Sequence, residues 1–457
     1  MSDEGLRLAQ QKMVQAGVSQ EAIDVFSHYY RVLETGETGL IPEDTLEALP
    51  EPPTLASLDI DAEQAREALS RTAIIKLNGG LGTSMGMDKA KSLLPVRDGK
   101  TFLDLIVDQV LTARARYGAR LPLILMDSFR TQADTLAALD AHPDIAVAGL
   151  PLDFLQNQEP KLRTDDLTPV TWPADPSLEW CPPGHGDLYT ALLSTGILDA
   201  LLDHGFRYAS VSNSDNLGAS PDPALAGWFA ATGAPYAIEV CRRTPADRKG
   251  GHLAQRSADG RVILRESAQT DPGEMRYFTD ETRHAYFNTN NLWFDLQQVR
   301  DTLTERGGVL GLPLIRNTKT VDPADPNSPQ VYQIETAMGA AVEVFDGATA
   351  VTVERDRFLP VKTTNDLLLL RSDVYRINDD ATLSLTVQAP PLVDLDDRFY
   401  KRIGDFEARF PSGAPSLRRA TSFTVRGDWT FDPGVTVRGH AVLDDDGSPR
   451  TVTGDLD

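Results

Sequence analysis

Residues 72–92 read TAIIKLNGGLGTSMGMDKAKS: an apolar run of β-formers, a glycine-rich bend, then lysines at 89 and 91. The isoleucine-rich run ending in glycines predicts a buried strand. Glycines let the backbone that follows turn tightly and bring its N–H groups close to an anion or a base. Spacing decides what kind of bend this is. Gly80, Gly82 and Gly86 give G-x-G-x-x-x-G, one residue longer than the dinucleotide fingerprint, and Lys91-Ser92 follows Ala90 where a P-loop has glycine. Neither standard phosphate motif fits, yet a strand before the bend and a lysine after it favour an anion site.

Similar runs recur downstream as LPLILMD (121–127), IAVAGL (145–150), RYASVSNSD (207–215) and APYAIEVC (234–241). They alternate with helix-like stretches, TFLDLIVDQVLTARARYG (101–118) and DPALAGWFAATG (222–233). This alternation predicts an α/β fold with a doubly wound, mostly parallel sheet. Ligands of such sheets lie beyond the carboxyl ends of the strands, where LNGGLGT and SNSDN fall. Residues 1–70 read as a helical N-terminal region, 71–385 as the large α/β domain and 386–457 as a separate tail. LIPEDTLEALPEPPTLASLD (40–59) has the proline and acidic content of an exposed connection. In the tail, Thr424-Val425-Arg426-Gly427 recurs as Thr436-Val437-Arg438-Gly439. Twelve residues are two steps of a hexapeptide coil, which predicts a short β-helix supported by the large domain or another subunit. One twisted hairpin with a chance repeat is the alternative.

Composition narrows the partners. Lys plus Arg number 44 against 67 Asp plus Glu, so a net charge of −23 repels nucleic acid and anionic membranes. Any phosphate site must be local. Only ten residues are lysines, and Lys76, Lys89 and Lys91 crowd one segment. No apolar stretch reaches the ~18 residues of a membrane span, and the N-terminus lacks the basic-then-apolar order of a secretory signal. A soluble cytoplasmic protein is expected. Cys181 and Cys241 match no zinc or thioredoxin-like spacing and are expected to be buried, reduced thiols.

The stretch KLNGGLGTSMGMDKAKS (76–92) resembles the nucleotide loop of the eukaryotic-type UDP-glucose pyrophosphorylases. QNQEPK (156–161), PPGHGD (182–187), SNSDNLGA (212–219), FNTNNLWF (287–294), RFLPVKTTNDLLLLRSDVY (357–375) and DFEARFPSGAPSLRRATSFTVRGD (405–428) resemble further segments of that family, in its order. One departure is Asp88-Lys89-Ala90, where many relatives carry Gly-Pro before the lysine. The resemblance implies a nucleotidyltransferase (GT-A/Rossmann-like) catalytic domain and a magnesium-dependent transfer from UTP to glucose 1-phosphate, giving UDP-glucose and pyrophosphate. It leaves a monomer or a small homo-oligomer open.

It also implies roles for particular residues. Lys91 corresponds to the lysine on the UTP phosphates, and Lys362 to the lysine treated as catalytic. Gln156 falls beside the uracil together with backbone groups of Leu77, Asn78, Gly79 and Gly80, and the Gly184 backbone lies beside the nucleotide. His185 faces the sugar phosphate, and Asp215 is the Mg²⁺ ligand. For the glucose hydroxyls the resemblance points to Asn213, Asn290 and Lys249-Gly250-Gly251, with Glu335 in QIETAMG. Amides and carboxylates suit a polyol because each satisfies several hydroxyls. Asn288 and Asn291 fit turn or strand-end roles equally and are left unassigned.

The chemistry is compatible with these residue types. A sugar phosphate is already ionised near neutral pH, so two polyanions must be brought together by fixed cations rather than by a general base. A pyrophosphorylase for UDP-N-acetylhexosamine or several UDP-sugars shares the fold and is the near rival. A nucleotide-sugar binding protein without chemistry lacks a reason for Lys91, Asp215 and Lys362 together, and the glycine spacing argues against a dinucleotide oxidoreductase.

Overall fold

Thr72–Leu77 is the expected strand, buried along all but its last residue. In the computed structural model, which describes residues 2–248 and 250–457, it lies inside a ten-stranded sheet. Tyr208–Asn213 and Leu123–Asp127 flank it, both parallel, and Asp153–Leu155 extends the parallel half. Beyond Tyr208–Asn213 the sheet becomes mixed. Tyr286–Asp295 runs antiparallel to that strand and to Tyr236–Arg242, and Thr349–Thr352 then pairs parallel with the latter.

Successive strand residues point to opposite faces. Ile74 enters the apolar cluster holding Phe102, Ile106 and Trp228, while Ile75 enters that of Leu188, Leu192 and Leu201. The sheet is therefore covered on both sides, as an α/β fold requires. Helix Phe102–Tyr117 opens with a Thr101/Asp104 capping box and stops at Gly118, φ 67°. Helix Pro223–Thr232 starts where the Asp222 carboxylate accepts from the N–H groups of Ala224 and Leu225.

Three expectations are corrected. IAVAGL forms no strand: the chain turns at Gly149, φ 84°, and the fourth parallel strand is Asp153–Leu155. The 40–59 segment is not simply an exposed connection, because Leu46–Ala48 pairs with His252–Arg256 as an edge strand. Glu43 is buried there against Arg265, Arg283 and His284. The twelve-residue repeat is not the repeat of the tail. Ser416 pairs with Thr436 and Val425 with Leu443, so neighbouring strands are offset by 20 and 18 residues.

Pairing in the tail is parallel throughout, between Leu392–Leu395, Ser416–Val425 and Thr436–Leu443, and between Trp429–Phe431 and Arg450–Val452. A hairpin is antiparallel by construction, so the hairpin alternative is not what forms. Phe406, Phe410, Phe423 and Phe431 join the same apolar cluster as Leu94 and Leu367, so the tail leans on the large domain. At the other end, helices Ser2–Gln15 and Gln20–Glu34 pack through Phe26 and Tyr30 on Leu162 and Ile334. Cys181 and Cys241 are buried and unpaired. Among the described residues no helix is long and apolar enough to cross a membrane.

Candidate active site

The carboxyl ends of the parallel strands open into a cleft with about 460 Å³ of open space. Leu77, Gly79, Gly80, Lys91, Gln156, Gly184, His185, Asn213 and Asp215 all line it, from five separate stretches of sequence. Strand register explains much of this. Asn213 pairs with Leu77, and the Ser214 N–H donates to the Leu77 carbonyl at 3.1 Å. Gln156, just past Asp153–Leu155, donates its backbone N–H to the Asp127 carbonyl at 2.7 Å.

The glycine bend folds back on itself. Gly82 and Gly86 are left-handed, φ 61° and 71°, around the short turn Thr83–Met85. The Lys91 N–H then donates to the Gly80 carbonyl at 3.1 Å, which returns the lysine to the cleft. A Cβ on Gly79 would lie 2.7 Å from Gln156 Oε1, so a larger residue there would push the Gln156 amide aside. Across the cleft, Lys91 Nζ meets Asp215 Oδ2 at 2.6 Å.

Gly184 and Gly186 are required by a backbone clasp. Thr336 N–H donates to the Pro183 carbonyl at 3.0 Å, and Gly186 N–H to the Thr336 carbonyl at 2.8 Å. A Cβ on Gly184, φ 77°, would sit 2.5 Å from Thr336 O, and one on Gly186 2.2 Å from Thr336 Oγ1. Between them His185 accepts the Met338 backbone N–H on Nδ1 at 2.9 Å. That bond places the imidazole proton on Nε2, and burial lowers the pKa to about 4, so the ring is a neutral donor. Asp187 is buried behind the turn, pushed up to about 7 by burial against the bonds it accepts from the Asn157 backbone and side chain at 2.6 and 2.9 Å. It holds the segment after Gln156 in place.

A second group centres on Gly251 and Glu266. The Gly251 carbonyl accepts from the Asn288 N–H at 3.0 Å, and a Cβ on Gly251 would lie 2.5 Å from Glu266 Oε1. Asn290 has φ 59°, in a strand whose pairing with Tyr236–Arg242 shifts register between Ile238 and Val240. Asn288 braces it, accepting the Asn290 N–H at 2.9 Å and donating to Asn290 Oδ1 at 2.8 Å. Burial raises the pKa of Glu266, and the Lys362 ammonium pulls it back. Lys362 is exposed, and its backbone N–H donates to Asp366 Oδ2 at 2.9 Å. Lys249 lies outside the described residues.

Asn78 and Glu335 flank the cleft without lining it. Asn78 is buried beneath the cleft, donating to Asp127 Oδ1 at 2.8 Å and Thr135 Oγ1 at 2.9 Å, so it can serve a nucleotide only through its backbone. Glu335 packs beside the cleft-lining Gly184, on which an added Cβ would lie 3.0 Å from the Glu335 Cβ. It ends a strand of a separate three-stranded sheet, with Lys319 3.9 Å away. The carboxylate next to Gly251 is Glu266, in the unremarkable stretch ILRESAQ, where nothing local marks it. Lys76 is a further buried polar group. Its Nζ donates to Ser212 Oγ at 2.7 Å and the Ala219 carbonyl at 2.8 Å, clasping both ends of SNSDNLGA. Burial brings its pKa down to about 7.

The arrangement fits one magnesium ion at Asp215. Lys91 occupies Oδ2, leaving Oδ1 without a hydrogen-bond partner among the described residues. One carboxylate is a donor set Mg²⁺ accepts when phosphate oxygens and water complete its shell. Among the described residues no three His, Cys, Asp or Glu side chains could hold a metal unaided.

Comparison with known proteins gives this geometry a context. The chain is 38% identical over 435 residues to a probable UTP–glucose-1-phosphate uridylyltransferase of Schizosaccharomyces pombe, covering 93% of this chain and 83% of that one. It is 39% identical over 396 residues to the UTP–glucose-1-phosphate uridylyltransferase of Solanum tuberosum, covering 85% and 80%. The crystal structure of a Trypanosoma brucei UDP-glucose phosphorylase superposes with a TM-score of 0.90 at 42% identity, over 99% of this chain and 98% of that one. A Leishmania major UDP-glucose pyrophosphorylase variant, in complex with UDP-glucose, superposes at 0.92 and 42%, over 99% and 98%. The family model for UTP–glucose-1-phosphate uridylyltransferase matches residues 23–438, and with the cleft assembled as described the chain belongs to that family.

Proposed function

We propose that the protein joins UTP and glucose 1-phosphate into UDP-glucose and pyrophosphate, with Mg²⁺ as its cofactor. The observation that carries the reading is the Lys91–Asp215 pair facing the glycine bend at the carboxyl ends of the parallel strands. Uracil is read by Gln156 and the backbone of Leu77 to Gly80, since an amide both donates to and accepts from a base edge. Lys91 binds the UTP phosphates. Magnesium, when bound at Asp215, supplies charge neutralisation between the phosphates.

A phosphate oxygen of glucose 1-phosphate attacks the α-phosphorus of UTP, and pyrophosphate departs on the opposite side. His185 donates from Nε2 to the sugar phosphate and carries no charge of its own. Asn213, Glu266, Asn290 and the Gly251 backbone hold the glucose hydroxyls. Lys362, free of a competing ion pair among the described residues, balances the charge that builds around the α-phosphate. The parallel stack of the tail is read as a short β-helix, on the strength of its pairing directions.

The test is pyrophosphate release from UTP with glucose 1-phosphate or N-acetylglucosamine 1-phosphate, each with and without Mg²⁺. Magnesium-dependent release with glucose 1-phosphate is the expected result. Release with the acetamido sugar alone would replace the substrate, and none with either would leave a binding protein.

A further inference from the structure

Asp215 and Lys362 lie on stretches of chain far apart in sequence, and one buried side chain ties those stretches together. Asn216, next to Asp215, is 2% exposed. Its Oδ1 accepts from the Leu359 N–H at 2.8 Å and the Gly218 N–H at 3.1 Å. Its Nδ2 donates to the Arg357 carbonyl at 3.2 Å and to Asn291 Oδ1 at 3.0 Å. An amide has two donor protons and two acceptor lone pairs, and all four are used. The backbones of Asn216 and Pro360 also form an isolated antiparallel bridge.

The three stretches joined by this amide carry, in turn, Asp215, Asn290 and Lys362. Behind them the anchor is stiff. Arg357 grips Glu239 through Nε at 3.1 Å and Nη2 at 2.9 Å, and Asn291 and Trp293 donate to the same carboxylate. A Cβ on Gly218 would lie 2.3 Å from the Asp356 carbonyl, so the two backbones touch with no room between them. The Asp215 loop therefore cannot shift against the 357–362 segment without breaking buried hydrogen bonds. The nucleotide loop, 77–91, has no contact with this amide among the bonds it makes.

We infer that Asn216 is a positioning residue of the transfer reaction: its amide sets the separation between the Asp215 carboxylate and the Lys362 ammonium. This rests on the roles given to those two residues above. In-line transfer needs both charges placed to within a fraction of an ångström of the α-phosphate, and small displacements are costly in rate. Removing the amide frees the lysine-bearing segment while leaving the base pocket intact.

The test is a double-mutant cycle on steady-state turnover, with UTP binding as an independent reading. Asn216→Ala is expected to lower kcat at least 30-fold and to leave the affinity for UTP within threefold. In a Lys362→Ala background the same substitution is expected to lower kcat less than threefold further, because the group it positions is already gone. Equal losses of kcat in both backgrounds would overturn the inference, as would a loss of UTP affinity that accounts for the whole effect. Asn216→Ser, smaller than asparagine and able to keep one of the bonds, serves in the same cycle if Asn216→Ala does not fold. A wild-type protein without turnover would instead remove the functional reading, so the two failures are distinguishable.

Discussion

Lys91 Nζ and Asp215 Oδ2 stand 2.6 Å apart, each side chain 16% exposed, although 124 residues of sequence separate them. The pair joins the end of the glycine bend to the end of a neighbouring parallel strand. It leaves the other carboxylate oxygen without a hydrogen-bond partner among the described residues. Asp215→Asn keeps an acceptor for Lys91 but removes the charge that Mg²⁺ requires. Turnover should fall on the order of 10²-fold or more, the scale of one lost electrostatic group, with UTP still bound. Turnover within threefold of wild type, titrated across Mg²⁺ concentrations, would remove Asp215 from the metal site.

Lys362→Ala should cost at least ~3 kcal/mol of transition-state stabilisation, read from kcat/KM. The residue is exposed, so its removal should hardly change the melting temperature. A variant with near-normal turnover would contradict its role beside the α-phosphate.

Two glycines should behave oppositely. Gly184→Ala places a methyl 2.5 Å from Thr336 O in a left-handed residue and should destabilise the fold by ~3 kcal/mol or more, measured by denaturant unfolding. Gly80 has nothing within 4 Å of the same position. Gly80→Ala should keep its stability within about 1 kcal/mol and raise KM for UTP, because its methyl enters only the space given to the nucleotide. Equal destabilisation of both would refute this division.

His185 should titrate near pH 4, not near 6.5, because burial disfavours its charged form. NMR of the imidazole reads this directly. A midpoint close to 6.5 would mean that the ring is solvated and that its Nδ1 bond to Met338 is not held.

Asp187 gives stability a pH dependence of known sign. Its folded pKa of about 7 lies above the unfolded value of 3.8, so the folded state keeps the proton longer. Its contribution is fully present below pH 3.8 and is lost as pH rises through about 7. At about 1.4 kcal/mol per unit this amounts to on the order of 4 kcal/mol. Asp187→Asn cannot ionise, so its unfolding free energy should rise relative to wild type between pH 4 and 7. A constant difference across that window would show that Asp187 is not the titrating group.

Much of this was legible in the linear chain because it depends on local chemistry. Alternating strand and helix patterns located the parallel strands. The helix-like stretches 101–118 and 222–233 begin at residues that cap the helices, Thr101 and Asp222, and end at the glycines that stop them. Glycine spacing and the lysine after it marked the bend, and SNSDN at a strand end marked Asp215. IAVAGL misled because apolar content alone does not distinguish a strand from a packed turn. Thr424–Gly427 and Thr436–Gly439 misled because an identical tetrapeptide need not occupy equivalent places in a stack where the two strands carrying it are offset by 18–20 residues.

Tertiary structure alone decided what distant residues become to one another. Glu266 stands against Gly251 and Glu335 against Gly184, placements set by strand pairing rather than by the residues themselves. Just past the strand end, the Asn78 side chain turns inward to Asp127, which leaves only its backbone at the glycine bend. The separation of Asp215 from Lys362 is fixed by Asn216, whose four hydrogen bonds reach chain up to 143 residues away. Sequence determined which chemical groups were present and which elements would carry them. The distances between those groups belong to the packed sheet, because burial makes each polar atom find its partner wherever the fold brings one.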